Sequence, residues 1–253
     1  MLIKDTLKTL VRRFQDFFIP PLCVVCDGEL ADDREKGGGK WLCPSCVNLL
    51  IKNHNDRDPC PRCAQNQHKR ACACDVVWDY PFERVCCVYD YDDTLSVIAK
   101  HIKYHGKSGL AYQIGVVSAT LIPEKFFDGV DFVIPVPLHK QRKRRRGYNQ
   151  SEYFARGVLA GAGINTVNPA VLRADLLVRV KNTETQTQLD RDERRKNLDG
   201  AFAVNGQAAG ELSGARAALI DDIFTTGATT EACAKTLLGA GCASVVVLAM
   251  GRD

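Results

Sequence analysis

A parallel α/β sheet flanked by helices, preceded by a small cysteine-rich segment, is the fold class this sequence predicts. Two observations carry that prediction. Apolar strand-like and helix-like runs alternate from Arg84 to the end of the chain, the order that builds parallel sheets covered by helices. In addition, ten of the twelve cysteines fall before residue 88, a composition shift that marks two modules. The expected boundaries are 1–83 for an N-terminal helix with the cysteine-rich module and 84–253 for the α/β body.

At the N-terminus, Leu2, Ile3, Leu7, Leu10, Val11, Phe14, Phe17 and Phe18 recur at helical spacing, while Lys4, Asp5, Lys8, Arg12, Arg13 and Asp16 interrupt them. The pattern predicts an amphipathic helix packed on the rest of the protein, without the continuous apolar core of a secretory leader. No apolar run reaches bilayer-spanning length. Hydrophobic residues at 45% and charged residues at 25% are ordinary for a soluble globular protein. A cytoplasmic chain is therefore expected, and in the reducing cytosol cysteines serve metals rather than disulfides.

Cys23 and Cys26 form one C-x-x-C pair and Cys43 and Cys46 a second, with sixteen residues between them. Each pair is a tight knuckle offering two thiolates, and two knuckles complete the tetrahedral shell of Zn²⁺. Four thiolates leave no open position, so the site is expected to be structural. The loop between the pairs is charged and carries Gly37, Gly38 and Gly39, so this module depends on its metal to fold. Cys60 and Cys63, followed by Cys72 and Cys74 in a tighter C-x-C, form a further set. Here the sequence leaves three arrangements open: a second Zn²⁺, an exchange of ligands between pairs, or His54 or His68 as a substitute ligand. Cys86, Cys87, Cys233 and Cys242 read as buried small hydrophobes.

In the second half, strands are expected at 85–91, 130–136, 176–180, 217–220 and 244–250, and helices at 95–104, 110–121, 151–159 and 229–238. The sharpest signal is the segment 219–230. An apolar strand runs into Asp221 and Asp222, then a Thr/Gly-rich turn, then a helix. Ligands of open parallel sheets bind at the carboxyl ends of strands. Carboxylates there can accept hydrogen bonds from the vicinal hydroxyls of a ribose. Thr225, Thr226, Gly227, Ala228 and Thr229 offer hydroxyls and backbone amides to a phosphate. The segment thus suits a ribose 5-phosphate.

Apolar strand, two acidic residues and a T-T-G-x-T loop resemble the phosphoribosyl-pyrophosphate (PRPP) motif of type I phosphoribosyltransferases. Further stretches resemble one family of that superfamily, the ComF family of competence-associated proteins. They are I-P-V-P-L-H at 134–139, R-G-Y-N-Q at 146–150, I-K-Y-H-G at 102–106, T-Q-T-Q-L at 185–189 and R-R-K-N-L at 194–198, together with the cysteine-rich N-terminus. The resemblance covers nearly the whole chain. It departs at Tyr148, where Phe is frequent, at Ala228, where Ser or Gly is frequent, and at the C-x-C pair.

The resemblance implies a type I phosphoribosyltransferase-like sheet and a ligand, Mg²⁺-bound PRPP, that loses pyrophosphate as an acceptor attacks C1. Asp221, Asp222 and Arg146 are then the candidate catalytic residues. Arg142, Arg144 and Arg146, on the predicted loop after the strand that ends in Pro135 to Leu138, with Lys103 as a weaker candidate, are the expected partners of the departing pyrophosphate. The net charge of +4 is modest, but the basic run at Lys140–Arg146 equally suits a nucleic-acid backbone, which fits a family linked to the uptake of single-stranded DNA. Two readings follow: a phosphoribosyltransferase whose acceptor the sequence does not reveal, and a non-catalytic adaptor of DNA-uptake proteins that uses the same pocket as a nucleotide or PRPP sensor. Gln186, Arg194 and Asn197 match polar positions of the family without an assigned role.

Overall fold

The computed structural model describes residues 21–30, 41–69, 71–72, 74, 80–163, 172–182, 191–206 and 209–253. The amphipathic segment of the first twenty residues, most of the 27–42 loop and the stretch containing Gln186 lie outside the described residues, as does the side chain of Arg194.

Among the described residues, six of the seven longest elements follow the predicted alternation. β1 (Val85–Asp90) leads to α2 (Asp93–Tyr104) and α3 (Ser108–Ala119), then to β2 (Phe132–Pro135). A short α4 (Lys140–Arg146) and α5 (Gln150–Gly161) follow, and later β5 (Arg216–Phe224), α7 (Ala228–Gly239) and β6 (Ser244–Arg252). Before them comes α1 (Pro44–Asn55), which starts with proline at its first turn and carries the second knuckle cysteine, Cys46. Between α5 and β5 lie β3 (Leu177–Arg179), α6 (Arg191–Leu198) and β4 (Phe202–Val204).

The four strands β1, β6, β5 and β2 pair in that order, all parallel. β5 and β6 occupy the middle and are buried almost end to end, the near-continuous apolar pattern of a sheet covered on both faces. One face packs on α2, α3 and α5 through Leu95, Ile98, Ile114, Phe154 and Val158, and the other on α7 through Ala234 and Leu237. The long helix after β2, α5, and the helix after β5, α7, therefore lie on opposite faces of the sheet. A crevice opens between neighbouring strand ends at such a point.

The strand at 176–180 does not join this sheet. β3 pairs antiparallel with β4 in a separate two-stranded sheet, with Leu177 opposite Val204. Three residues with one buried side chain are too short to distinguish the two pairings by pattern. The basic run, expected as a loop, is helical: its residues are good helix formers, the His139 ring accepts from Gln141 N at 3.4 Å, and Gly147 closes the helix at φ +86°.

The cysteine-rich segment shares the core of the body. Cys23, Val24, Leu42, Cys46 and Leu50 belong to the same apolar cluster as Val88, Leu95 and Ile98. A buried polar latch adds to this. Arg57, 8% exposed, donates to Asp90 Oδ1 at 2.7 Å and to the carbonyls of Cys87, Val88 and Ala64. Asn66 and Lys69 complete the shell of Asp90 at 2.7 and 2.9 Å. Among the described residues, no helix is long and apolar enough to cross a membrane.

Two predictions follow from this packing. Gly157 of α5 meets α3 so closely that a Cβ would lie 2.1 Å from the Tyr112 carbonyl oxygen, so Gly157→Ala should cost about 2–3 kcal/mol in a denaturant titration. Asp90→Asn leaves the Arg57 charge buried without its partner and should cost about 3 kcal/mol at neutral pH. Burial raises the Asp90 carboxyl, but Asn66, Lys69 and Arg57 outweigh it and hold its pKa below the ordinary 3.8. A depressed folded pKa stabilises above the unfolded value and is lost as pH falls through the folded one. The gap between wild type and variant should therefore close as pH is lowered below about 4.

Candidate functional site

The structure gathers the eight N-terminal cysteines into two clusters, Cys23, Cys26, Cys43 and Cys46, and Cys60, Cys63, Cys72 and Cys74, with the Sγ atoms of each within 4.8 Å of one another. Zn–S bonds of about 2.3 Å at tetrahedral angles require sulfur separations of about 3.8 Å. Cys26 and Cys43 stand 3.7 Å apart, and Cys60 and Cys72 stand 3.2 and 3.4 Å from Cys74. Both donor sets fit a structural Zn²⁺. Pairs adjacent in sequence share a cluster, so ligands are not exchanged between the sets. The histidines weighed as substitutes are engaged elsewhere: His54 Nδ1 is 2.6 Å from Val88 O and His68 Nδ1 is 3.2 Å from Asp56 O. Burial raises the Cys23 and Cys60 thiols, but backbone amides pointing at sulfur more than offset this and lower both. In Cys23 the first of these amides is that of Cys43, at 3.4 Å.

The second candidate site is the crevice at the strand ends. β5 continues through Asp221 and Asp222 to Phe224, paired with β6 as far as Arg252, whereas β2 stops opposite Ile220. The two carboxylates thus stand beyond the end of β2, and both are buried, at 7% and 9% exposure. Their surroundings differ. Asp222 Oδ2 is 2.7 Å from Lys103 Nζ, at the end of α2. Burial raises Asp222, yet the Lys103 charge prevails and holds it below the usual range. Asp221 accepts from Ser151 Oγ at 3.3 Å and from Asp222 N at 2.9 Å, and burial together with the neighbouring carboxylate raises it. The pair therefore presents one firmly ionised group and one inclined to hold its proton.

Past Phe224 the chain turns through Thr225, Thr226 and Gly227 into α7. Gly227 has φ +77°, a left-handed conformation that glycine adopts without strain, and Ala228 and Thr229 open the helix. The first amides of a helix lack intrahelical acceptors. Thr230 is turned inward and caps the Gly227 carbonyl at 2.9 Å.

Lys103, the partner of Asp222, also lines a cavity of about 520 Å³ together with Tyr104, Gly106, Arg142, Arg145 and Arg146. Arg146 donates to Gln150 Oε1, and burial lowers its pKa against the opposing charge of Asp222. Arg144 is exposed and does not line this cavity. Arg145, passed over by the sequence reading, does. Positions 142, 145 and 146 fall on one helical face, so the spacing could have identified it had the run been recognised as a helix. Asn197 is exposed at the end of α6.

No protein-family model matches the chain. Among curated proteins, it is 28% identical over 247 residues to the DNA utilization protein YhgH of Escherichia coli O157:H7, covering 92% of this chain and 98% of that one. Competence protein F of Haemophilus influenzae is 35% identical over 120 residues, 47% of this chain and 49% of the other. Competence protein ComFC of Bacillus subtilis is 27% identical over 242 residues, 89% and 92% of the two chains. These relatives, at 27–35% identity, support the resemblance to the ComF family. Metal analysis of the purified chain should give two zinc ions per molecule, and Cys46→Ser should reduce that to one while the second cluster keeps its ion.

Proposed function

We propose that this chain binds Mg²⁺·PRPP in the crevice beyond β2 and transfers its phosphoribosyl group to an acceptor, in the service of DNA uptake. The observation that carries the reading is the buried Asp221–Asp222 pair at the end of β5, followed by the Thr/Gly loop and ion-paired through Asp222 with Lys103, which lines one cavity with Arg142, Arg145 and Arg146. Names of the relatives, DNA utilization and competence, support the cellular setting. We also take 1–83 and 84–253 as the working units of the chain, the first as a metal-stabilised base for the second.

In this reading each group has one task. Asp221 and Asp222 accept hydrogen bonds from the ribose hydroxyls. The amides and hydroxyls of residues 225–229 hold the 5-phosphate at the start of α7, where backbone donors favour an anion. Arg146, Arg142, Arg145 and Lys103 face the pyrophosphate, whose charge grows as the bond to C1 breaks, and cations positioned in advance lower that barrier most. Asp221 and Asp222 offer hard oxygen donors of the kind Mg²⁺ takes, and the ion, when bound with the ligand, would supply further charge neutralisation.

A second reading rests on a separate observation. Tyr104 is 72% exposed and lines the same cavity as Lys103, Arg142, Arg145 and Arg146. An exposed ring beside clustered cations suits the stacked bases and phosphates of single-stranded nucleic acid.

Calorimetric titration with PRPP and Mg²⁺ separates the two. Under the first reading the wild-type chain binds, and Asp221→Asn combined with Asp222→Asn lowers affinity at least tenfold. Retained affinity in the double variant would remove the site assignment. No binding by the wild type, with salt-sensitive binding of single-stranded DNA that Arg142→Ala and Arg145→Ala weaken, would favour the second.

A further inference from the structure

Three consecutive carbonyls of the loop after β5 each have a donor behind them. Arg252 Nη1 donates to Phe224 O at 3.2 Å and to Thr225 O at 2.7 Å. Tyr80 Oη donates to Thr226 O at 2.7 Å. A trans peptide points its N–H opposite to its C=O. Holding these carbonyls toward Arg252 and Tyr80 therefore turns the amides of Thr225, Thr226 and Gly227 to the other side. Arg252 ends β6, on one flank of β5; the crevice lies on the other flank, where β2 has stopped.

Both donors are themselves fixed by packing. The Tyr80 ring stacks on Phe82 at 4.9 Å and meets Phe224 edge-on at 6.1 Å, while the Arg252 guanidinium lies over the Phe224 ring at 5.2 Å. Gly227 belongs to the same contact. A Cβ there would come within 2.8 Å of Tyr80 Cε1 and 2.7 Å of Phe224 Cζ, so only glycine lets the ring seat beneath the loop. Phe82 is buried, which anchors the segment carrying Tyr80 from the other end.

We propose that Tyr80 and Arg252 are positioning residues that keep the amides of the 225–227 loop aimed into the crevice. The proposal rests on the phosphate-site reading for its purpose, but the bracing can be measured without a ligand. Neither residue lies in the segment that suggested the site.

The test uses the full chain and Tyr80→Phe, which keeps the ring and deletes the donor. Amide hydrogen exchange of peptides spanning 225–230, the melting temperature and Mg²⁺·PRPP affinity are read together. The expected result is exchange about five- to tenfold faster at this loop alone, little change in melting temperature, and PRPP affinity weakened by a similar factor. Arg252→Met, which keeps the aliphatic stem and removes the donors, should show the same local pattern. Unchanged exchange at the loop would overturn the proposal. So would faster exchange throughout the chain with a lowered melting temperature, which would make Tyr80 a packing residue only. A loosened loop in a chain that binds no PRPP would remove the phosphate reading and leave the bracing standing.

Discussion

The last hydrogen bond between β2 and β5 runs from Val136 N to Ile220 O at 2.8 Å, and the strand-end site depends on what happens beyond it. β5 goes on for four residues while β2 leaves toward α4. That inequality exposes Asp221 and Asp222 to a crevice instead of a neighbouring strand. Pro135 and Pro137 fall on alternate positions whose missing N–H faces away from β5, the side on which an edge strand tolerates proline. With α5 and α7 on opposite faces, nothing in the sheet itself covers the gap. The covering comes from side chains of α2 and α4.

The charge distribution across the gap follows from the same geometry. Two carboxylates side by side in a buried place would repel, and the protein resolves this by giving only one of them a cation. Lys103 holds Asp222 ionised, and Asp221 absorbs the cost as a raised pKa, eased by the Ser151 hydroxyl. Lys103 joins the acidic pair directly through Asp222 and also lines the cavity that Arg142, Arg145 and Arg146 share, so positive charge extends from the carboxylates into the opening.

Much of this was legible in the sequence. The parallel sheet was readable because its central strands are uninterrupted apolar runs, and the cysteine clusters because three C-x-x-C pairs and a C-x-C pair have the spacing of metal knuckles. Less legible was anything decided by tertiary contact. The strand was expected to end at Ile220 with Asp221 and Asp222 just past it, since carboxylates are rare inside strands, yet pairing with β6 carries the strand through them. The helical state of Lys140–Arg146 was hidden by its lack of any apolar stripe; without that stripe the period could not show which arginines share a face. Tyr80 and Arg252 had no signal at all, because their partners are backbone carbonyls far away along the chain.

The apolar cluster that joins Cys23, Val24, Leu42 and Leu50 to α2 and α3 has a thermodynamic consequence. Any ion that binds the folded knuckles in preference to the unfolded chain adds its binding free energy to everything that unfolds with them. Were the cysteine-rich segment tethered by a linker, that gain would stop at the tether. Here it extends across a continuous interior to the helix that carries Lys103. Metal supply and thiol oxidation then bear on the lifetime of the whole polypeptide, including the crevice at the strand ends.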